Sequence, residues 1–198
     1  MSEGTSCRFA VAGLEELLRI KERQLPVNRN RIGLDWGSAR SGRPKFSGVY
    51  VFWWNGDAGQ FLNSIRNKTL HFRGPKGKPP FAWTLSVSDL LTAANGVLPL
   101  YVGKATNIAD RVGKHLKLKT LRTVSQDSID GVCRRMTTTC QLRDRLDRLF
   151  PDIPDTRGLA VQHLMLSYVP LDSVVERFFL EDLAVGRLRP PFNVDTER

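Results

Sequence analysis

Two short strand-like segments, each with a tyrosine tripeptide, constrain the fold of this chain more than any other feature. Phe46–Trp54 contains Gly48-Val49-Tyr50, is rich in aromatic and β-branched residues, and ends at the turn dipeptide Asn55-Gly56, which predicts a strand and a turn. Leu98–Lys104 contains Tyr101-Val102-Gly103 and predicts a second strand. Each tripeptide alone is weak evidence, because such runs occur beside many turns, so its value depends on the motifs that accompany it.

The rest of the chain predicts a mixture of strands and helices. Alternation over His163–Val169 predicts a third main strand, and Thr69–Arg73 and Phe81–Ser86 are further strand candidates. Apolar spacing predicts helices at 9–22, 88–94, 140–150 and 171–187. A further helix, capped by Thr106 or Asn107, is predicted to run to about Lys117.

Two of these helices carry specific expectations about burial. The apolar face of the first is expected to consist of Val11, Leu14, Leu17 and Leu18. That of the 140–150 helix is expected to consist of Leu142, Leu146 and Leu149. The charged residues between these three leucines are expected to form an ordinary solvated face.

Length and composition suit one domain with an arm. A chain of 198 residues with 41% hydrophobic residues can bury one core of ordinary size. Residues 1–45 are expected to form a helix and a basic linker arm, and residues 46–198 a single domain. Three cysteines do not suggest a disulfide framework, and no signal peptide or membrane-length apolar stretch is apparent. A cytoplasmic protein with no membrane partner is therefore expected.

The positive charge of the chain is concentrated in its first two thirds. Residues 1–125 contain 20 Lys and Arg against 8 Asp and Glu, whereas residues 126–198 contain 10 against 12. A regional basic excess indicates a polyanionic partner, and nucleic acid is the best candidate. The basic segment 28–45 is interpreted either as a strap on the phosphate backbone or as a mobile linker.

Two helices carry residues suited to phosphate chemistry. Glu181 is predicted to lie on an apolar stripe formed by Val174, Phe178, Val185 and Leu188. A carboxylate in such a place is expected to be an ion-pair partner or a metal ligand. Arg111 and His115 are four residues apart and share one face beside the apolar stripe of Ile108, Val112 and Leu116. They are interpreted either as a phosphate clamp or as a surface pair.

The ordered set of these motifs resembles the GIY-YIG nuclease superfamily. The set comprises Gly48-Val49-Tyr50, Tyr101-Val102-Gly103-Lys104, Arg111, Glu181 and, twelve residues after Glu181, the Asn193 that follows Pro190-Pro191-Phe192. The resemblance implies an α+β fold with a small three-stranded antiparallel sheet flanked by helices. The tyrosines are 51 positions apart and Arg111 and Glu181 are 70 apart, longer than in the family, which indicates insertions at about 56–98 and 119–160.

The resemblance also implies a role for each motif residue. Tyr50 would be the general base or its orienter, supported by Tyr101 and Lys104, and Arg111 would clamp the phosphate. Glu181 would be the acidic ligand of Mg²⁺, with Mn²⁺ as the alternative, and Asn193 would shape the far wall of the site. His115 stands where several restriction enzymes of the family have His. A tyrosine with a reference pKa of about 10 needs nearby cations to act as a base at neutral pH.

The expected activity is metal-dependent, sequence-specific cleavage of double-stranded DNA by a type II-like enzyme of a restriction system, acting as a homodimer on DNA. The residues expected to contact DNA are Arg66, Lys68, Arg73, Lys76, Lys78, Lys114 and Lys117. One alternative is a structure-selective or single-strand DNA nuclease of repair or mobile-element type. Another is a non-catalytic nucleic-acid-binding module. The insertions are interpreted as recognition elements or, alternatively, as an enlargement of the core.

Overall fold

The computed structural model describes residues 3–19, 27–28, 31–32, 46–66, 68–72, 81–84, 97–117, 141–154 and 156–193. The helix predicted at 88–94 and the predicted DNA contacts Arg73, Lys76 and Lys78 lie outside these ranges. Within them, no helix is long and apolar enough to cross a membrane.

The predicted three-stranded antiparallel sheet is confirmed. It consists of β3 (Gly48–Trp54), β6 (Leu98–Ala105) and β7 (Leu164–Pro170), with β3 in the centre. Two small antiparallel ribbons accompany it: β1 (Val27–Asn28) with β2 (Arg31–Ile32), and β4 (Thr69–Phe72) with β5 (Phe81–Thr84). The second ribbon confirms the two further strand candidates. The first was not predicted and lies in the segment interpreted as a linker arm, where β2 borders the helix that follows β6.

Six helices complete the described part of an α+β fold. They are α1 (Glu3–Leu18), α2 (Ala58–Ile65), α3 (Ile108–Lys117), α4 (Gln141–Leu149), α5 (Arg157–His163) and α6 (Val174–Leu188). Asn107 caps α3 by accepting from the Asp110 amide at 3.0 Å, as predicted. Helices α2 and α5 were missed because each spans at most 8 residues, too few for a clear apolar period.

The two faces of the sheet carry different layers because successive side chains of a strand point in opposite directions. All seven residues of β3 are buried. Tyr50, Phe52 and Trp54 pack with α2, α3 and α4, whereas Val49, Val51 and Trp53 pack with α1 and α6. The tyrosine tripeptides therefore lie in the middle of a helix–sheet–helix sandwich.

The predicted apolar face of α1 is only partly correct. Leu17 is fully buried and Leu14 packs against the core, but Val11 and Leu18 are 49% and 36% exposed. Helix α1 packs on α6 near Gly13, where an added Cβ would lie 3.0 Å from Leu180 Cδ2. This close approach turns the Gly13–Leu17 side of the helix inward and leaves Val11 and Leu18 outside.

The expectation for α4 is right about its leucines and wrong about its charges. Leu142, Leu146 and Leu149 are fully buried. Arg143, Arg145 and Asp147 are also buried, with at most 5% exposure, instead of forming a solvated face. Helix α4 is enclosed because α3 packs along one side of it, and its charges reach partners there: Arg143 donates to the Leu116 carbonyl at 3.3 Å.

Candidate functional site

The glycines of both tripeptides are required by close packing. Gly48 lies on the central strand opposite β7, where a Cβ would stand 2.1 Å from the Val169 carbonyl oxygen. Gly103 pairs in register with Tyr50, and a Cβ at Gly103 would lie 2.6 Å from Tyr50 Oη. Because Gly103 has no side chain, the Tyr50 hydroxyl can occupy the space where a Cβ would otherwise be.

Tyr50 and His115 form a buried hydrogen-bonded pair. Tyr50 Oη lies 3.0 Å from His115 Nε2, and both side chains are fully buried. The rings of Tyr50, Phe52 and Tyr101 surround the imidazole with centroids 5.3–6.0 Å away. Burial, followed by the positive charges of Arg111 and Arg145, lowers the pKa of His115 to about 3. His115 is thus a neutral imidazole, and the interpretation of Arg111 and His115 as a surface pair is wrong.

The environment of the Tyr50 hydroxyl opposes its ionisation. Burial raises the pKa of Tyr50 well above 10, and the neighbouring Tyr101 raises it further. The charge and hydrogen bond of Arg111 act in the opposite direction, and the Glu181 carboxylate again raises the pKa. The phenol therefore keeps its proton at neutral pH, and Lys104, expected to stabilise a phenolate, is not among the cations that lower its pKa.

Lys104 is instead ion-paired with Glu181. The ammonium group contacts Glu181 Oε2 and lies 3.9 Å from the centroid of the Phe178 ring. Lys104 pairs in register with Val49 and not with Tyr50, so its side chain points to the α6 face of the sheet. The prediction that Glu181 needs an ion-pair partner or a ligand is confirmed for the ion pair. Tyr50 and Glu181 lie on either side of Gly103. They are close enough for the Glu181 carboxylate to raise the pKa of the Tyr50 phenol.

The apolar stripe predicted around Glu181 exists, but it is not the buried face of α6. Val174 and Phe178 are 56% and 51% exposed, and Val185 is partly buried. The helix buries Arg177, Leu180, Ala184 and Leu188. The inward direction of α6 is set by Leu180 and Ala184 packing on the sheet, which places Glu181 and Phe178 at the side of the helix that faces Lys104.

Asn193 binds the backbone of the second tripeptide. Its Nδ2 donates to the Val102 carbonyl and its Oδ1 accepts from the Val102 amide, both at 2.8 Å. The Phe192 amide donates to the Leu100 carbonyl at 3.0 Å. Because β6 is an edge strand of the sheet, residues 192–193 occupy the position of a further strand.

Arg145 is a functional candidate that the sequence interpretation missed. Its buried guanidinium donates to the Phe192 carbonyl, next to Asn193, and its charge contributes to the low pKa of His115. It therefore connects α4 to both halves of the site. On a helical projection Arg145 lies about 60° from Leu142 and about 40° from Leu149, at the border of the leucine face, and that position was the available signal.

The predicted DNA-contacting residues are dispersed and partly engaged in protein contacts. Arg66 is exposed immediately after α2, whereas Lys68 donates to the Leu149 carbonyl at 2.7 Å. Lys114 is exposed and forms an ion pair with Asp110 at 2.7 Å. The side chain of Lys117 lies outside the described part of the structure. Lys68 thus has a structural contact in addition to its predicted role.

Glu181 is the motif residue whose side chain could ligate a hard divalent cation. Glu181 Oε2 already contacts the cationic Lys104, and carboxylate oxygens are preferred by Mg²⁺ and Mn²⁺. Over the described ranges there is no cluster of three or more His, Cys, Asp or Glu residues arranged to hold a metal ion. Any cation at Glu181 would therefore need water or substrate oxygens as its other ligands.

Comparison with models of protein families, with curated proteins and with solved structures gave no match. The resemblance to the GIY-YIG superfamily accordingly depends on the motif residues alone. What the chain does must be inferred from those residues and from their geometry.

Proposed function

We propose that this chain is a metal-dependent endonuclease of the GIY-YIG type that hydrolyses DNA phosphodiester bonds. One observation carries the proposal: the side chains of the predicted motifs, more than 130 positions apart at their extremes, converge around Gly103. Tyr50 and His115 lie on one face of the sheet with Arg111, and Lys104 and Glu181 lie on the other. The arrangement combines proton-transfer groups, a cationic clamp and a carboxylate, as phosphodiester hydrolysis requires.

The Tyr50–His115 pair can accept the proton of an attacking water. Because Tyr50 keeps its own proton at neutral pH, its oxygen can take a proton from water only while its hydroxyl proton passes to His115 Nε2, 3.0 Å away. The water oxygen then forms its bond to phosphorus while the P–O bond to the leaving strand breaks, and the leaving alkoxide takes up a proton from solvent. Since the pKa of His115 is about 3, the imidazole is unprotonated throughout the physiological range, but the same low pKa makes it a weak base that holds the proton only transiently.

Arg111 is suited to bind the phosphate. It approaches Tyr50 closely enough to hydrogen-bond to its hydroxyl. Its buried Nε has no hydrogen-bond partner among the described residues. An unpaired donor of a charged group is costly, and a non-bridging phosphate oxygen would satisfy it. Arg111 would thus hold the phosphate beside the hydroxyl that accepts the water proton.

Glu181 would hold the divalent cation. Mg²⁺ or Mn²⁺ bound there would neutralise charge that develops on the phosphate. Lys104 must then release the carboxylate, and its ammonium becomes available to a phosphate oxygen. Asn193 and Arg145 would position this half of the site by fixing the β6 backbone.

The sequence supports restriction-type cleavage of double-stranded DNA by a homodimer, because both strands must be cut. The net charge of +10 supports a nucleic-acid substrate. The second candidate is a structure-selective or single-strand nuclease. It is favoured by the exposed apolar side chains of α6 beside Glu181.

The test is cleavage of supercoiled plasmid with Mg²⁺ by the wild type, Glu181→Gln and the control Glu176→Gln on the same helix. We expect a chelator to stop cleavage and Glu181→Gln to slow it by about a hundredfold or more, with DNA binding retained. Glu176→Gln should cut like the wild type. Equal cleavage by Glu181→Gln would refute the assignment, and DNA binding without cleavage by the wild type would favour a non-catalytic module. A unique sequence at the cut ends would favour the restriction type.

A further inference from the structure

An exposed apolar edge borders the ion pair at the site. Val174 and Phe178 are 56% and 51% exposed, and both project from the side of α6 that carries Glu181. Lys104 contacts both the charged and the apolar side chains here, because its ammonium contacts Glu181 and lies 3.9 Å from the Phe178 ring centroid. An exposed phenylalanine therefore stands one helical turn from the carboxylate, about 4.5 Å along the axis.

Large exposed apolar side chains next to a charged site indicate a ligand that is itself part apolar and part charged. A nucleotide has this character, since its phosphate is anionic and both faces of its base are apolar. In a duplex those base faces are covered by their neighbours, and only the base edges and the phosphates can be reached. An aromatic ring on a helix surface can therefore contact a base face only when that nucleotide is unpaired or unstacked.

We propose that Phe178 stacks on an unpaired nucleobase adjacent to the scissile phosphate, with Val174 extending the contact. This inference rests on the proposed nuclease function and specifies its substrate as DNA with an unpaired nucleotide at the cut: a single strand, a junction, or a base turned out of the helix. The charges match once a cation at Glu181 releases Lys104, because the ammonium beside the ring can then meet the phosphate of the nucleotide whose base stacks on it.

The matched control is the neighbouring residue. Phe179 is 56% exposed, but it lies about 100° further round the helix, away from Lys104. Phe178→Ala and Phe179→Ala therefore each remove an exposed phenylalanine side chain from the same helix. Only Phe178→Ala removes one that lies at the site. Phe178→Trp keeps an aromatic face and should preserve the contact.

The experiment measures binding by fluorescence anisotropy without divalent metal, so that no strand is cut. The two probes are a thymidine homopolymer and an abasic strand of equal length, which carry the same phosphates but differ in their bases. We expect the wild type, Phe179→Ala and Phe178→Trp to bind the thymidine strand about tenfold more tightly than the abasic strand. Phe178→Ala should lose most of that preference, and its affinity for the abasic strand should be unchanged.

Several results would overturn the inference. Equal binding of the two strands by the wild type, or equal effects of Phe178→Ala and Phe179→Ala, would show that no base stacks on Phe178. Light scattering that shows a dimer disrupted by Phe178→Asp, but not by Asn63→Asp on α2, would assign the apolar edge to a second copy of the chain. If plasmid cleavage still depends on Glu181 in these cases, the proposed function stands and only the unpaired substrate is wrong. Failure of both binding and cleavage would reject both proposals.

Discussion

The side-chain amide of Asn193 binds both backbone groups of Val102, at 2.8 Å each. Val102 is the central residue of the second tripeptide and lies between Tyr101 and Gly103. One side chain near the end of the described chain thus takes the place of a neighbouring strand at the edge of β6. The contact pairs the backbone of the tripeptide on one side of β6, while the β3–β6 ladder sets the register of Gly103 with Tyr50 on the other.

Replacing Asn193 by Asp should destabilise the protein. A carboxylate cannot donate to the Val102 carbonyl, and it leaves that partly buried acceptor unpaired, at a cost of about 1–3 kcal/mol. The free energy of unfolding, measured by urea denaturation, should fall by that amount. Asn63→Asp makes the same change at an exposed position of α2 and should have little effect. Equal losses in the two variants would mean that the Val102 contact contributes nothing.

Gly103→Ala should impair the site more than an ordinary glycine substitution. The added Cβ would lie 2.6 Å from Tyr50 Oη, so Tyr50 must move and its hydrogen bond to His115 must lengthen or break. We expect a large loss of cleavage and a lower melting temperature. Gly113→Ala on α3 has no atom within 4 Å of the new Cβ and should be neutral or stabilising by up to about 1 kcal/mol. Full activity in Gly103→Ala would contradict the role of this close approach.

His115 should make the protein sensitive to mild acid. Its pKa is about 3 when folded, against 6.5 ordinarily, so between these values the unfolded chain binds a proton that the folded chain does not. Stability is therefore unaffected above pH 6.5 and decreases as the pH falls toward 3, by about 1.4 kcal/mol for each pH unit. Between pH 7.5 and 5.5, His115→Gln should lose about 1.4 kcal/mol less than the wild type. Identical losses by chemical denaturation would contradict a buried neutral imidazole.

Arg145 should act as a positioning residue for Asn193. Arg145→Met removes the donor to the Phe192 carbonyl and should cost about 2–3 kcal/mol, as expected for a buried charge-assisted hydrogen bond. Under conditions where the variants remain folded, kcat should fall with little change in KM. Arg145→Lys, which retains a donor, should recover part of kcat. Arg187→Met, at an exposed position of α6, serves as the control. A loss of stability without a change in kcat would limit Arg145 to a structural role.

The strands of the main sheet and of the second ribbon were predictable to within two residues because their aromatic and β-branched runs end at clear turn signals, whereas β1 and β2 were missed. For Glu181 an ion-pair partner or a metal was expected, since a carboxylate beside apolar residues needs a partner, and the structure shows the ion pair with Lys104. The prediction failed where a helix has more than one candidate face. In α1 and α6 the apolar residues occupy a wider arc than one contact can bury, and the packing of Gly13 and Leu180 decides which part turns inward.

By itself, the sequence determined the elements of the sheet, the order of the motif residues and the basic character of the chain. These features follow from the propensity and the chemistry of residues that are close together in the sequence. Only the tertiary structure decided that Tyr50 pairs with His115, that Lys104 pairs with Glu181 across the sheet from it, and that Arg145 is buried behind Asn193. Such contacts join residues 47 to 77 positions apart, and they depend on strand register and helix packing, which no local pattern specifies.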